Sequence, residues 1–464
     1  MFVGREEELN LLNNRFKSNR FEFPVLYGRR RIGKTNLLTE FVKGKKNIFF
    51  TATKASEAIN LKQLGEAIDL YLQPLIPTVL QDLSQAFDLI EKLAKQSKEP
   101  LVFIIDEYPY LAENMDGVSS ILQSKIDHQF LKIPNLMLIL SGSSMSFMEH
   151  QILGYESPLY GRRTTQIKLK SLQANEARQL LPTMSKEDFL TLLGISGGIP
   201  LYLSQFEDKL SLKENILQHV FSRDAILFEE PDNLLKQELM NSVRYKDILD
   251  ALGSGASKLN EIATKTKMDS GSMVSYLKNL MDLGIVTRTL PLGEKSNKKA
   301  LYSISDGLFR FWYKVVAKVM QLIEINRTEL AWKLSEERII EFSSNYFEEF
   351  CYQWLLKKNG SGKFKTVITE IGSWWGNHPF KKEKQTEEID LLAWGHQKNQ
   401  LLIGECKWKK EKAGMEVLSK LKERSEFFNK SEKELIIFSK AGFTNELKAQ
   451  ENEKLHLIEY QEMI

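Results

Sequence analysis

The chain has 464 residues, 42% of them hydrophobic and 27% charged, so it can form about two to four hydrophobic cores. Its formal net charge of +3 is too small to indicate a nucleic-acid partner by itself. Two cysteines, Cys351 and Cys406, argue against a disulfide framework or a cysteine-rich zinc site. The N-terminus lacks signal-peptide features and no apolar run could cross a membrane, so we expect a cytoplasmic protein with no membrane partner.

Up to about residue 170, short apolar runs alternate with amphipathic helical stretches. This alternation predicts an α/β fold, a parallel sheet covered by helices, with ligands bound at the carboxyl ends of the strands. The predicted strands are 23–27, 47–51, 101–105, 136–140 and 165–169.

The first motif, Gly28 to Thr35, matches the phosphate-loop pattern G-x-x-x-x-G-K-[ST]. It follows the first apolar run and precedes a helix-like stretch, Asn36 to Lys43. Lys34 can reach the outer phosphates, and the Thr35 hydroxyl can bind magnesium. We therefore expect ATP and Mg²⁺ as cofactors, the alternative being a chance match. The expected nucleotide-binding residues of this segment are Gly28, Arg29, Arg30, Arg31, Ile32, Gly33, Lys34, Thr35 and Asn36.

Two acids, Asp106 and Glu107, follow the apolar run 101–105. Acids at the end of a buried strand are costly unless they have a partner or a function. We expect Asp106 to help hold the magnesium and Glu107 to orient the attacking water, as in phosphoryl transfer to water. The alternative is that both acids only cap the next turn.

Two further groups are candidates for contacts with the reacting phosphate. Ser141 and Ser143 follow the run 136–140, and either could sense the γ-phosphate, although serine also simply ends strands. Arg162 or Arg163 could neutralise transition-state charge in cis or in trans. A surface ion pair or an interface contact is the alternative for the arginines.

These motifs, with the opening Phe2 to Leu9 and the turn Gly197 to Pro200, occur in an order that resembles archaeal-type ATPases of the AAA-like and STAND group of P-loop NTPases. The resemblance covers roughly residues 1 to 240. It implies that Gly4 and Arg5 pack near the adenine and that Gly198 and Pro200, in a helical lid, contact the nucleotide.

From about Tyr245 the pattern changes to three helices, 245–252, 258–266 and 270–283, and two strand-like runs, 285–290 and 300–304. This order predicts a winged helix-turn-helix. Its expected core is Leu259, Ile262, Ala263, Val274, Leu277, Leu280 and Ile285.

The predicted winged helix has nine Lys and Arg against six Asp and Glu between residues 245 and 304, with Lys295, Lys298 and Lys299 on the wing. We expect the helix 270–283 and these lysines to bind DNA. The alternative is a module that clamps the ATPase or a protein partner.

A second chemical constellation lies in the last third of the chain. Strand alternation puts Glu405 and Lys407 on one face, next to a strand that carries Asp390. This arrangement resembles PD-(D/E)xK nucleases, in which Asp390 and Glu405 would hold magnesium and Lys407 would orient the nucleophilic water. The helix 346–350 offers Glu348, or Glu349, as an additional ligand.

The segment from about residue 300 to 464 also resembles the domain of unknown function that is often appended to archaeal-type ATPases. That domain looks like a restriction-endonuclease fold, which could cleave DNA or only bind. We expect a loop over 375–387, and solvated helix surface or a basic rim over Lys407 to Lys412 and Lys420 to Lys433.

The predicted domains are a P-loop ATPase core (1–172), a helical lid (173–240), a winged helix (241–310) and a nuclease-like domain (311–464). The function expected is ATP hydrolysis coupled to DNA binding and metal-dependent DNA cleavage. One alternative is a regulatory switch whose output is association with a protein or with another copy of the chain. A weaker one is a toxin or defence effector restrained by the ATPase.

Overall fold

The structure is a computed structural model that describes residues 2–381 and 385–464. The chain divides into two compact units, one of the residues up to Leu180 with Gly198–Ser204, the other of Leu181–Gly197 with Gln205–Ile464. These units are coarser than the four predicted domains, whose boundaries stay predictions. Within the described ranges, no helix is both long and apolar enough to cross a membrane.

A five-stranded parallel sheet of order β2-β3-β4-β1-β5 forms the centre of the first unit. All residues of β3 and β4 are buried, as expected for strands covered on both faces. The predicted α/β parallel sheet is therefore confirmed. Its strands are β1 (Pro24–Tyr27), β2 (Asn47–Thr51), β3 (Leu101–Asp106), β4 (Leu136–Gly142) and β5 (Thr165–Lys168).

Amphipathic helices pack on this sheet. In α4, for example, Phe87, Ile90 and Ala94 form a buried stripe at helical spacing, and the Asp82 side chain caps the helix by accepting from Gln85 N at 2.8 Å. Numbered in chain order, the helices of the first unit are α1 (Glu6–Phe16), α2 (Lys34–Val42), α3 (Glu57–Leu72), α4 (Leu83–Gln96), α5 (Tyr108–Asn114), α6 (Val118–His128), α7 (Met145–Phe147), α8 (Ala174–Ala177) and α10 (Pro200–Leu203).

The second unit begins with helices and ends with a mixed sheet of order β12-β11-β10-β9-β8. In that sheet β10, β11 and β12 run parallel to one another, whereas β9 pairs antiparallel with both β10 and β8. Its helices are α9 (Lys186–Ser196), α11 (Leu212–His219), α12 (Ile226–Glu238), α13 (Ser242–Gly253), α14 (Leu259–Thr266), α15 (Ser270–Asp282), α16 (Gly307–Phe311), α17 (Ala317–Glu324), α18 (Thr328–Lys358), α19 (Met415–Ser425) and α20 (Asn445–Lys448). Its strands are β6 (Val286–Thr289), β7 (Leu301–Ile304), β8 (Ile368–Asn377), β9 (Thr386–Gly395), β10 (Gln400–Lys407), β11 (Glu432–Ser439) and β12 (Leu455–Glu459).

The three helices α13, α14 and α15 and the antiparallel hairpin β6-β7 have the order that the sequence predicts. The prediction that Val274 belongs to the core is wrong, because Val274 is 50% exposed and its neighbour Met273 is fully buried. The buried stripe of α15 runs through Met273, Leu277 and Leu280, and Val274 lies one helical step away from it.

The expectation of a loop over 375–387 is wrong at both of its ends, where the structure has strands. Strand β8 continues to Asn377 and β9 starts at Thr386, so only His378 to Gln385 join them. The paired residues Trp375↔Glu388 and Asn377↔Thr386 extend the ladder into this segment. Residues 382–384 of the expected loop lie outside the described residues.

The tip between β6 and β7 contacts the edge strand β8. The N–H of Leu292 donates to the carbonyl oxygen of Ser373 at 2.9 Å, and Leu292 packs against the hydrophobic core of the C-terminal sheet. Gly293 lies next to the Trp394 ring. The hairpin and the C-terminal sheet are thus held together within the second unit.

A buried carboxylate, Glu434 on β11, ties three segments of the C-terminal sheet together. It accepts hydrogen bonds from the N–H groups of Lys365 and Thr366 at 3.0 and 2.7 Å, and it contacts His456 Nε2 at 3.2 Å. Burial alone would raise the pKa of Glu434, but these hydrogen bonds lower it from 4.5 to about 2.

We expect Glu434→Gln to lower the free energy of unfolding by about 2–3 kcal/mol at pH 7, because a lowered carboxyl pKa contributes stability above the unfolded value of about 4.5. The difference from wild type should shrink as the pH falls from about 4.5 towards 2, where Glu434 itself becomes protonated. Urea unfolding of both proteins between pH 7 and pH 3 measures this. Glu432→Gln, on an exposed neighbour, is the control, and an equal loss there would contradict the assignment.

Candidate functional site

The loop between β1 and α2 has the backbone shape that an anion requires. Gly33 has a φ of +91°, a left-handed conformation suited to glycine. A Cβ on Gly28 would lie 2.7 Å from the Leu169 carbonyl oxygen, so a larger residue does not fit there. Lys34 is buried at the start of α2, where its Nζ donates to the carbonyl oxygens of Gly28 at 3.1 Å and Arg29 at 3.3 Å. The helix N-terminus and this ammonium group suit a phosphate.

Thr35 and Asp106 meet at the magnesium position that the sequence predicts. The Thr35 hydroxyl donates to Asp106 Oδ2 at 2.7 Å, and Asp106 Oδ1 accepts the N–H of Glu107 at 3.1 Å. One hydroxyl and one carboxylate, completed by phosphate oxygens and water, form a ligand set that Mg²⁺ commonly takes. The residues present therefore fit a magnesium–nucleotide complex.

Glu107 is held by Ser143 rather than by Ser141. The N–H and hydroxyl of Ser143 both donate to Glu107 Oε2, at 3.1 and 2.7 Å. Ser141 is fully buried inside β4, and its hydroxyl has no hydrogen-bond partner among the described residues. The physical reason is position, because Ser143 lies just beyond the end of β4 and can turn towards the end of β3.

The predicted opening and lid residues also reach the phosphate loop. Arg5 Nη2 donates to the carbonyl oxygen of Ile32 at 3.2 Å, and a Cβ on Gly33 would lie 3.8 Å from Pro200 Cγ. Gly198 O accepts the N–H of Leu172 at 2.8 Å, which fixes the turn before α10. The other predicted nucleotide-binding residues lie elsewhere around the loop. Gly4 lies beside Glu176, and Asn36 is on the exposed face of α2. The three arginines Arg29, Arg30 and Arg31 are half-buried in the loop itself.

Arg162 is already engaged within the chain. Its Nε and Nη2 donate to the two carboxylate oxygens of Asp127, each at 2.7 Å, and its Nη1 donates to the carbonyl oxygens of Pro158 and Tyr160. These hydrogen bonds to Asp127 raise the pKa of Arg162. Arg163 has no such ion pair in the described part of the chain. Arg162 therefore forms a surface ion pair, which is the alternative to a catalytic role. A catalytic role for either arginine stays a prediction.

The second predicted site lies in the C-terminal sheet, where Lys407 Nζ donates to Glu405 Oε1 at 2.5 Å. Arg424, on α19, donates to Glu405 Oε2 at 2.7 Å and contacts Glu387 Oε2 at 3.1 Å. Arg424 is only 7% exposed, so the expectation that Lys420 to Lys433 is all solvated surface is wrong at this residue. The buried positions Leu418, Leu421 and Arg424 are three residues apart, and that spacing was the missed signal.

Asp390 and Glu348 approach this cluster from β9 and α18. Asp390 Oδ2 accepts the N–H of Cys406 at 2.8 Å, and burial together with the charge of Glu405 raises the pKa of Asp390 to about 6. Burial and the charge of Asp390 raise the pKa of Glu348 to about 8. Glu349, the alternative ligand, is instead paired with Arg310.

The predicted metal ligands Glu348, Asp390 and Glu405 are neighbours but are not gathered around one point. Within residues 2–381 and 385–464, no three His, Cys, Asp or Glu side chains are arranged so that they could hold a metal ion together. Both Glu405 oxygens accept from cations and one Asp390 oxygen accepts from the backbone. The carboxylate oxygens suit Mg²⁺ chemically, but three of them do not converge here.

We expect Ser143→Ala to lower the rate of nucleotide hydrolysis by about tenfold, with nucleotide affinity unchanged, because Glu107 loses a charged hydrogen bond. Steady-state hydrolysis and equilibrium nucleotide binding check this. Ser144→Ala is the matched control, since the structure gives that hydroxyl no role at Glu107. Loss of activity in Ser141→Ala, with Ser143→Ala unaffected, would restore Ser141 as the sensor.

Two family models match the chain. The model of an ATPase domain predominantly from Archaea matches residues 2–206. The model of archaeal and bacterial proteins of unknown function matches residues 312–422. The first match covers the parallel sheet and the phosphate loop, and the second covers α18, β8, β9, β10 and most of α19.

Two solved structures are similar to this chain at low sequence identity. The Walker-type ATPase PABY2304 of Pyrococcus abyssi is 20% identical, with a TM-score of 0.49 over 68% of this chain and 96% of that one. The ORC2 protein of Aeropyrum pernix is 15% identical, with a TM-score of 0.45 over 70% and 94%.

The curated relatives are from Methanocaldococcus jannaschii. The uncharacterized ATP-binding protein MJ0423 is 48% identical over 46 residues, which are 10% of this chain and 78% of that protein. The uncharacterized protein MJECL04 is 31% identical over 410 residues, which are 88% of each chain. This chain therefore belongs to the same family as MJECL04, and its residues 2–206 match the ATPase domain that is found predominantly in Archaea.

Proposed function

We propose that this ATPase is a nucleotide-driven switch that binds duplex DNA through a winged helix formed by α13, α14, α15 and the hairpin β6-β7. The observation that carries the proposal is the hairpin tip, where Lys295 and Lys298 are exposed and form no ion pair within the described residues. Lys299 is paired with Glu294 at 2.9 Å and contributes less charge. Unpaired surface lysines favour phosphate contacts.

The exposed face of α15 supports a role in the same contact. Ser272, Ser275 and Lys278 are exposed on the side opposite the buried stripe, and Asp269 caps the helix by accepting from Ser272 N at 2.9 Å. Small polar side chains and one lysine let a helix approach a groove closely and donate to phosphates or bases. We propose that α15 enters the groove and that the wing lysines contact the flanking backbone.

ATP and ADP would be the two inputs of the switch. We propose that ATP binding fastens the lid helices and that hydrolysis releases them, so that DNA affinity follows the bound nucleotide. The rival output is association with a protein or with another copy of the chain. DNA affinity that depends on the nucleotide separates the two.

We expect alanine at Lys295, Lys298 and Lys299 to weaken binding of a duplex DNA by about tenfold or more and to reduce the slope of log K against log salt by about 2–3. Fluorescence anisotropy at several salt concentrations, with ATPγS and with ADP, measures both quantities. Alanine at the exposed Lys62, Lys92 and Lys98 removes the same charge from the first unit and is the control. An unchanged isotherm in the wing variant would favour the protein-binding alternative.

A second candidate function is magnesium-dependent phosphodiester cleavage at the C-terminal cluster. It is favoured by the grouping of acids there, since burial raises the pKa values of Glu348 and Asp390, and a neighbouring carboxylate, Asp390 for Glu348 and Glu405 for Asp390, adds to each shift. A bound Mg²⁺ would supply charge neutralisation and an activated water. Both oxygens of Glu405 accept from Lys407 and Arg424 in this structure, so we propose that Asp390 and Glu405 would hold such an ion only after one of these cations moves away.

The cations of the cluster have distinct proposed roles. Lys407, bonded to Glu405, can orient a water molecule or stabilise a phosphate, because its ammonium group is the partly exposed one. Arg424 is more buried and bridges Glu405 and Glu387, so we propose that it positions Glu405. Binding without cleavage is the alternative for this domain.

We expect Asp390→Ala and Lys407→Ala each to abolish cleavage of plasmid and linear DNA in Mg²⁺ or Mn²⁺, while ATP hydrolysis persists, since both residues belong to the second unit. Lys409→Ala, two residues along and exposed, should cleave as the wild type does. Lys34→Ala should abolish nucleotide binding and change any cleavage that depends on ATP. Cleavage that survives Asp390→Ala would exclude this cluster, and absence of cleavage in the wild type would leave binding as the role of the domain.

A further inference from the structure

The phosphate loop carries three successive arginines, and Arg30, the middle one, contacts a tyrosine outside the loop. Arg30 Nη2 donates to the hydroxyl of Tyr110, and its guanidinium carbon lies 5.8 Å from the centroid of the Tyr110 ring. The loop pattern itself fixes only glycine, lysine and threonine, so it does not require an arginine at this position. The contact links the phosphate loop to α5.

Tyr110 belongs to the same turn as Glu107, the residue expected to orient the attacking water. Its N–H donates to the carbonyl oxygen of Glu107 at 3.0 Å, and Glu107 is the N-cap residue directly before α5. One helical turn thus carries both the partner of Arg30 and the carboxylate that Ser143 holds.

This turn is fixed in the hydrophobic core. Tyr108 is fully buried, and its hydroxyl lies 2.8 Å from that of Ser119. Pro109 packs on the end of β4 so closely that a Cβ on Gly142 would come within 2.8 Å of it. Tyr110 therefore gives Arg30 a rigid point of attachment rather than a mobile one.

The chemistry of the contact permits a phosphate as a further partner. A guanidinium has five N–H donors in one plane, so Arg30 can donate to Tyr110 and to a second acceptor at the same time. A phosphate oxyanion is a stronger acceptor than a neutral phenol, and arginine suits phosphate geometry.

We propose that Arg30, positioned by Tyr110, binds the terminal phosphate of the nucleoside triphosphate and so makes the loop distinguish ATP from ADP. This inference rests on nucleotide binding at the phosphate loop. It assigns to a residue of the loop itself, on the side of Glu107, the charge neutralisation that the sequence alone attributes to Arg162 or Arg163.

The test is the ratio of triphosphate to diphosphate affinity, measured by displacement of a fluorescent ADP analogue with ATPγS or with ADP. We expect Arg30→Ala to weaken ATPγS binding by about tenfold or more and ADP binding by less than about threefold, as expected for one charged hydrogen bond to the terminal phosphate. Arg30→Lys should recover part of the loss, because it keeps the charge but not the planar donors.

Tyr110→Phe tests the positioning role, because it keeps the ring and removes only the acceptor of the Arg30 bond. We expect a smaller loss of ATPγS affinity in this variant, and no additional loss when it is combined with Arg30→Ala. Arg20→Ala is the control. It removes a surface arginine of the same unit, and Arg15 still pairs with the Glu22 that Arg20 contacts.

Equal losses of ATPγS and ADP affinity in Arg30→Ala, or no loss of either, would overturn the inference while leaving nucleotide binding in place. Tyr110→Phe with wild-type affinities, or losses that simply add in the double variant, would overturn the positioning role of Tyr110. A wild-type protein that bound neither nucleotide would contradict nucleotide binding itself, and the inference with it.

Discussion

The nucleotide site depends on the hydrogen bond between Thr35 and Asp106, two residues that are far apart in the chain. The bond is possible because β1 and β3 run parallel with only β4 between them, so that their carboxyl ends lie at the same edge of the sheet. The buried Asp106 needs a partner, and the hydroxyl supplies it. Glu107 and Ser143 are brought together at that edge by the same arrangement.

The C-terminal cluster follows a different constraint, that of charge balance in a partly buried place. Glu405 is neutralised by Lys407 and Arg424, whereas the pKa values of Asp390 and Glu348 are raised, chiefly because burial disfavours their charged forms and also because neighbouring carboxylates repel them. A cation would relieve this repulsion. The same feature would also suit a site that only binds a positively charged group, which is why the experiments separate cleavage from binding.

The sequence predicts the backbone better than the contacts of individual side chains. The five strands of the parallel sheet follow from apolar runs, and the phosphate loop follows from its motif, because both are local patterns. The choice of Ser143 over Ser141 and the pairing of Arg162 with Asp127 depend on residues at least 35 positions away, and no local pattern encodes them.

The contact between Leu292 and Ser373 has a consequence for solubility. Strand β8 lies at one edge of its sheet. An uncovered edge strand offers backbone groups to which another chain can add as a further strand. The hairpin tip occupies one of these groups with a backbone hydrogen bond and covers part of the neighbouring aromatic surface near Trp394. By covering this edge, the tip disfavours edge-to-edge aggregation, independently of any ligand that its lysines bind.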